Sequence, residues 1–224
     1  MLSLALDTST PLGSVALGEG GQLLAESILP VRAVHSEAVL PEIDRLLRSC
    51  GRSVREVERV VVGAGPGSFT GVRIAAAVAK GLRAATDARL LAFASLAAIA
   101  AGTGIAGPVC AAIDARRGQV YAAGYEIVDR LRERFPPRSA PLEDVLGALA
   151  PAGDWTVAGT LPPPLRARTE RLGFRLAPPH VGVPRASALL WLADLDPAAG
   201  AVEHPELWEP VYVRASSAER ETAP

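Results

Sequence analysis

The chain opens with apolar residues that alternate with small or polar ones, the period typical of a β-strand. Leucines at positions 2, 4 and 6 predict a first strand that ends at Asp7. A polar turn follows over residues 8–11, and two further extended segments, Gly13–Gly18 and Gln22–Leu29, flank a glycine-rich turn. The pattern therefore predicts a three-stranded meander whose first tight turn carries an aspartate.

Farther along the chain, the apolar spacing changes to that of a helix. Residues 39, 40, 43, 46, 47 and 50 are apolar and share one helical face, and Gly51 predicts the end of this helix. Pro41 is compatible with the first turn or would otherwise kink the helix. The elements predicted next are a strand at Val60–Val62, a loop at 63–71, a helix at Val72–Ala85, a strand at Leu90–Phe93 and a helix at Ser95–Ala101.

The second half of the chain begins as the first one does. An apolar strand, Val109–Ile113, ends at Asp114, and a short turn leads into a strand at Gln119–Val128. This weak internal repeat predicts two lobes, residues 1–104 and 105–224. Two halves that each open with a strand–Asp–turn–strand hairpin are typical of the actin-like ATPase fold. We therefore expect an α/β protein with two RNase H-like lobes, each a mixed sheet flanked by helices.

Beyond residue 128 the patterns are weaker. Leu142–Leu149 and Ala186–Leu195 predict helices, and Trp155–Ala158 predicts a strand. Prolines at 162–164 predict a loop, and the polar residues from about Ser216 onward predict a mobile end.

Composition and charge narrow the function classes. The 224 residues carry 23 basic and 24 acidic side chains, which gives a formal net charge of −1. This balance does not indicate a protein that binds nucleic acid phosphates by itself. Cys50 and Cys110 are far apart and in no metal-like spacing, which favours reduced thiols. The N-terminus is typical of a strand rather than a signal peptide, and the apolar stretch Phe93–Ala106 is broken by glycines and too short to span a membrane. We expect a cytoplasmic protein.

The loop at residues 63–71 is the most informative segment. Glycines at 65, 67 and 71 permit tight turns and close approach, and a loop before a helix presents N–H groups to an anion. The segment is not a P-loop, because no Gly-Lys-Ser/Thr closes it, and Thr70 stands where a dinucleotide motif needs glycine. Spacing alone favours a structural strand-to-helix turn.

Other candidate groups give weak signals. Asp7 and Asp114, at strand ends, are placed to order a metal–phosphate complex, although turn chemistry explains such aspartates equally well. His35 has no nearby metal-ligand partners, so a capping or exposed histidine is favoured. Small residues on the predicted helix at Val72–Ala85 allow another helix to pack closely, within the chain or in a second subunit.

Three motifs in this order closely resemble the TsaB (YeaZ) family of tRNA threonylcarbamoyladenosine biosynthesis proteins. They are Ala5–Thr10 with Gly13–Leu17, Gly65–Ile74, and Ile113–Tyr121. The second motif is the most specific, and its family residues are Gly65, Pro66, Gly67, Ser68, Phe69, Thr70 and Arg73. His35-Ser36-Glu37 and, near the C-terminus, Pro210–Arg214 fit the same family. The resemblance is strong over residues 2–128 and weak beyond.

The resemblance implies an accessory role without catalysis of its own. Members pair with a catalytic paralogue, TsaD, and with the ATPase TsaE, to transfer threonylcarbamoyl to adenosine of tRNAs that read codons beginning with A. The catalytic subunit holds a metal with a His-x-x-x-His pair, and Ser95 and Ile99 occupy those places here. The resemblance therefore implies no metal or cofactor in the isolated chain, with ATP and the metal belonging to the partners and tRNA contacted only through the complex.

The resemblance also implies where the chain meets its partner. The surface is expected on two helices and is also expected to support a homodimer when the partner is absent. Its predicted residues are Val39, Leu40, Ile43, Leu47, Gly71, Ile74, Ala75, Val78, Ala79 and Leu82. Asp7, Thr8, Ser9 and Asp114 would form a degenerate nucleotide site, with side chains crowding the first turn and weak or absent ATP binding.

Three rival functions stay open at this point. A glycoprotease-class metallopeptidase would need a metal, a small-molecule kinase on the same fold would need strong ATP binding, and a homodimeric scaffold would be unrelated to tRNA.

Overall fold

The computed structural model describes residues 1–30, 38–149 and 154–213. The strands are β1 (Leu2–Asp7), β2 (Leu12–Glu19), β3 (Gln22–Pro30), β4 (Val57–Gly63), β5 (Arg89–Phe93), β6 (Val109–Arg116), β7 (Gln119–Ile127), β8 (Leu131–Pro141), β9 (Thr156–Thr160) and β10 (Arg175–Leu176). The helices are α1 (Val39–Ser49), α2 (Phe69–Thr86), α3 (Ser95–Gly102), α4 (Leu142–Leu149), α5 (Pro163–Arg171) and α6 (Ala186–Leu195). The motif at His35 and the end of the chain from Ser216 lie outside the described residues.

The strands form two five-stranded sheets with the same topology. The first has the order β3-β2-β1-β4-β5, and the second has the order β8-β7-β6-β9-β10. In each sheet the first three strands are an antiparallel meander, and the remaining two run parallel to the central strand. This repetition confirms the predicted actin-like fold, with β1–β5 in the first sheet and β6–β10 in the second.

Helices lie on both sides of each sheet, and β1 shows why. Its leucines, including Leu4 and Leu6, pack with α1 and α2, whereas Ala5 belongs to the core around α3 and α6. That middle core also takes residues from β6 and β7 of the second sheet, so α3 and α6 lie between the two sheets. The alternation of large and small residues in β1 thus divides its side chains between two cores, one on each face of the sheet.

The chain after residue 185 returns to the first lobe. Ala186 N donates to Ser14 Oγ at 3.0 Å, and the buried Arg59 donates to the carbonyl of Ala193 at 3.0 Å and pairs with Asp194. Helix α6, from the second half of the chain, therefore packs on the first sheet.

Several local predictions differ from the structure. Helix α2 begins at Phe69, three residues early, because Ser68 caps it by accepting from Gly71 N. The loop predicted at the prolines 162–164 is wrong, because Pro163 begins α5 and proline suits a first helical position. Strand β8 was not predicted.

Within the described part of the chain, no helix is long and apolar enough to cross a membrane.

Candidate functional site

The turn that follows β1, called the first turn, encloses Asp7, the last residue of that strand. Asp7 Oδ1 accepts hydrogen bonds from Ser9 N at 2.7 Å and Ser9 Oγ at 2.6 Å. Asp7 Oδ2 accepts from Ser95 Oγ at 2.6 Å. Asp7 and Thr8 have no exposed surface, and Ser9 is almost as deeply buried. Both carboxylate oxygens therefore have partners within the chain.

Ser95, at the start of α3, connects this aspartate to the glycine loop. Its hydroxyl accepts from Gly65 N at 3.1 Å while donating to Asp7. Its backbone N donates to the carbonyl of Gly65 at 2.7 Å. Ser95 is thus a hydrogen-bonded support for the loop, a role that the sequence did not predict.

The glycines of the loop bring its backbone against the first turn. A Cβ at Gly67 would overlap the carbonyl of Ser9, and one at Gly71 would overlap the carbonyl of Thr8. The same contacts carry hydrogen bonds, because Ser68 N donates to the Ser9 carbonyl at 2.7 Å and Thr8 Oγ1 donates to the Gly71 carbonyl at 2.6 Å. The glycines predict that another group approaches the loop closely, and in the structure that group is the backbone of the first turn.

Burial dominates the electrostatics of this turn. It raises the pKa of Asp7, since the charged form loses its hydration, and the hydrogen bonds from Ser9 and Ser95 only partly offset this. Burial therefore disfavours the charged form of Asp7, which is the form that would bind a cation.

A metal does not fit the residues at this place. Asp7 is enclosed, Ser95 offers a hydroxyl that is already bonded twice, and Ile99 is a fully buried hydrocarbon. Within residues 1–30, 38–149 and 154–213 no three His, Cys, Asp or Glu side chains are grouped to hold an ion. Divalent cations need several oxygen or nitrogen ligands with a route to them.

Asp114 lies in the second sheet and has a different environment. It is partly exposed, and its Oδ1 accepts from Arg116 N at 2.8 Å, as in an ordinary turn. No hydrogen bond or ion pair among the described residues joins it to the first turn. The structure therefore assembles Asp7, Thr8 and Ser9 with the glycine loop, and leaves Asp114 outside that network.

The residues predicted for partner binding divide into two groups. Seven of them are buried within the chain, six in the core beside the first sheet and Gly71 against the first turn: Val39, Ile43, Leu47, Gly71, Ala75, Ala79 and Leu82. Leu40 is 54% exposed, and Ile74 and Val78 are half-buried. The periodicity marks the face that packs within the chain, so any partner surface on these helices must use their other sides. Whether they bind a partner stays a prediction.

Comparison with known proteins decides the family. A family model described as TsaD, tRNA N6-adenosine threonylcarbamoyltransferase, matches residues 27–157, more than half of the chain. The tRNA threonylcarbamoyladenosine biosynthesis protein TsaB of Escherichia coli is 33% identical over 96% of this chain and 95% of its own length. The chain belongs to the TsaB family. The TsaB protein of Bacillus subtilis is 37% identical, over 61% of this chain and 60% of that protein.

Solved structures agree with this assignment. YeaZ from Pseudomonas aeruginosa has a TM-score of 0.79 and 36% identity, covering 94% of this chain and 99% of that one. An activator of the 2-hydroxyisocaproyl-CoA dehydratase from Clostridium difficile has a TM-score of 0.50 at 11% identity, over 86% and 93% of the two chains, and shares the fold alone.

Proposed function

We propose that this chain is the accessory, non-catalytic subunit in the threonylcarbamoylation of tRNA adenosine, and that it activates a TsaD-type catalytic subunit by pairing with it. Membership of the TsaB family supports a place in this biosynthesis. A TsaE-type ATPase completes the proposed complex, which acts on tRNAs that read codons beginning with A.

The closed first turn is the observation that carries the proposal. A phosphoryl or metal site needs a carboxylate that an incoming ion can reach. Asp7 has no exposed surface, and its oxygens are taken by Ser9 and Ser95. ATP and metal therefore belong to the partner subunits in this proposal.

Pairing is proposed on the outward sides of α1 and α2. Leu40, Ala77 and Gly81 are exposed there, with Ile74 and Val78 beside them. Small residues let a second helix approach closely, and the apolar side chains give area to bury. The same surface is proposed to form a homodimer when the partner is absent. With a net charge of −1, the chain is proposed to contact tRNA only through the complex.

Co-purification with the TsaD paralogue of the same organism tests the pairing. The wild-type chain is expected to form a stable heterodimer, and Ala77→Arg or Gly81→Arg is expected to disrupt it by placing a long charged side chain in the contact. Ala167→Arg, at an exposed alanine of α5, is the matched control and should pair normally. Normal pairing by the α2 variants would place the interface elsewhere, and no pairing by the wild type would refute the proposed function.

Nucleotide binding and turnover provide a separate test. Calorimetry with ATP and Mg²⁺ is expected to show no binding by the isolated chain in the micromolar range. Adding the chain to the catalytic subunit, the ATPase and tRNA is expected to raise formation of the modified nucleoside. Micromolar ATP binding would instead favour a kinase on the same fold.

A further inference from the structure

The two helices that lie between the sheets each cross from one sheet to the other. Helix α3 follows β5 of the first sheet but packs on β6 and β7 of the second. Helix α6 follows β10 of the second sheet but packs on β1 and β2 of the first. The two helices also contact each other, so they form the mechanical link between the sheets.

A link of this kind is where two-lobed proteins move. Kinases and related proteins close on a ligand by bending a hinge or by sliding packed helices past one another. Sliding requires helix ends that are free to shift. In this chain the N-terminal ends of α3 and α6 are instead held by two buried polar networks.

The first network, called the α6 latch, holds α6 to the first sheet through Glu26 of β3. Glu26 accepts hydrogen bonds from Arg185 Nε at 3.2 Å, from Ser187 N at 3.1 Å and from Ser187 Oγ at 2.9 Å. Ser14 Oγ, on β2, accepts from Ala186 N at 3.0 Å. Burial raises the pKa of Glu26, but the hydrogen bonds from Arg185 and Ser187 outweigh it and hold that pKa below its ordinary value.

Opening the α6 latch would be costly. The Glu26 side chain is 8% exposed, so its charge would lose its partners in a place that water scarcely reaches. Helix α6 is also tied at its other end, where Arg59 of β4 pairs with Asp194. Asp196, just beyond the helix, accepts from Leu131 N of β8 at 3.3 Å. The C-terminal end of α6 is thus joined to both sheets.

The second network, called the α3 latch, consists of Asp7, Gly65 and Ser95. Ser95 is the first residue of α3, and it donates to Asp7 Oδ2 at 2.6 Å and to the carbonyl of Gly65 at 2.7 Å. Neither Asp7 nor Ser95 has exposed surface. The start of α3 is therefore fixed to the first turn and the glycine loop, while the body of the helix packs on the second sheet.

The core around these helices is shared by both sheets. Residues 95–101 of α3 are all buried. Their apolar members belong to one cluster with Ala5 and Val61 of the first sheet and with Ile113 and Tyr125 of the second. Packed cores change between discrete arrangements and do not deform continuously, so a new angle between the sheets would require this cluster to repack.

We propose that α3, α6 and their two latches form a conformational lock that holds the two sheets at one relative orientation, so that the chain does not open and close. The lock belongs to the chain alone and does not depend on the proposed function. It also gives Asp7 a second structural task, because the carboxylate that fixes the first turn fixes α3 as well.

Single-molecule energy transfer between two dyes tests the lock. Ala84→Cys on α2 and Ala167→Cys on α5 place the dyes at exposed positions beside the first and the second sheet. Cys50 is replaced by serine, whereas Cys110 is buried and escapes labelling. At the dilution that such measurements use, each chain is observed singly. We expect one narrow population for the chain with intact latches. Glu26→Ala is expected to add a second population of about one molecule in ten.

Two further variants complete the experiment. Arg185→Ala leaves Glu26 bonded to Ser187 and should produce a smaller second population, which tests the lock even if Glu26→Ala does not fold. Glu58→Ala is the matched control, because this carboxylate accepts from Leu2 N at 2.8 Å within the first sheet, and one population should remain.

Two results would overturn the inference. Two populations in the chain with intact latches would show that the sheets change orientation in spite of the networks. A single population in both α6-latch variants would show that Glu26 and Arg185 do not set the orientation. A second population in either of these variants, with one population in the control and in the chain with intact latches, supports the lock.

Discussion

The two lobes carry the same aspartate at the same topological position, and the two environments are opposite. Asp7 ends β1 and is fully buried, with hydrogen bonds from Ser9 and Ser95. Asp114, near the end of β6, is partly exposed and bonds to the backbone of its own turn. The difference comes from the glycine loop, which packs on the first turn.

This contrast shows that topology places a carboxylate but does not decide its role. The first turn carries its aspartate as a structural group that joins a hairpin, a loop and α3. The second turn stays open, and Arg116 and Arg117 adopt left-handed backbone conformations with φ of 64° and 55°. Four predictions test the contrast between a packed turn and an open one.

The largest effect is expected at Gly71. Gly71→Ala places a Cβ on the carbonyl of Thr8 and should destabilise the fold by about 4 kcal/mol. The added Cβ is attached directly to the helix backbone and the carbonyl is itself backbone, so neither can move aside easily. Gly81→Ala, in the same helix but with no neighbour near the added Cβ, should stabilise by about 1 kcal/mol. Urea unfolding measures both changes. Equal stabilities would show that the loop does not pack on the turn.

The next effect compares the two aspartates. Asp7→Ala leaves the buried donors of Ser9 and Ser95 without an acceptor and should cost about 3 kcal/mol. Asp114→Ala removes one hydrogen bond at a partly exposed turn and should cost about 0.5 kcal/mol. Chemical unfolding of both variants checks the ratio, and similar costs would contradict the difference in environment.

A smaller effect concerns pH. The folded chain raises the pKa of Asp7 above its ordinary value of 3.8, so the folded state keeps this proton when the unfolded state has lost it. The free energy of unfolding should therefore fall as pH rises above about 4, until the folded group also ionises. Asp7→Asn removes this component. Unfolding curves of the wild type and of Asp7→Asn at several pH values measure this. The same pH dependence in both proteins would contradict the raised pKa of Asp7.

The smallest effect is expected in the open turn. Asparagine accepts the left-handed conformation more readily than arginine, so Arg117→Asn should stabilise by about 0.5 kcal/mol. Thermal unfolding measures this small gain. A loss of several degrees would mean that the Arg117 side chain makes contacts that stabilise the second turn.

Much of the fold could be predicted, and the failures have physical causes. Strand β8 was missed because Pro136 and Pro137 and several charges interrupt its pattern, yet an edge strand tolerates them since one side needs no ladder partner. The prolines at the start of α5 predict a loop, because prolines mark helix beginnings and loops alike.

The site was predictable only in part. The crowded first turn was expected from Thr8 and Ser9, and both are buried. The face of α2 that packs within the chain was not predictable, because the periodicity of a helix cannot distinguish a face that packs on a sheet from one that packs on another chain. Ala75 and Ala79 pack on the sheet, while Ala77 faces outward.

By itself, the sequence determined the alternation of large and small residues in β1, the repeated aspartate hairpin and the glycines that permit close approach. Only the tertiary structure decided what comes close to those glycines. A glycine permits the approach of a phosphate and of a backbone carbonyl equally, and the groups that settle the matter are distant in the chain. Ser95 reaches Asp7 across 88 positions and Gly71 meets Thr8 across 63, contacts that local pattern cannot encode.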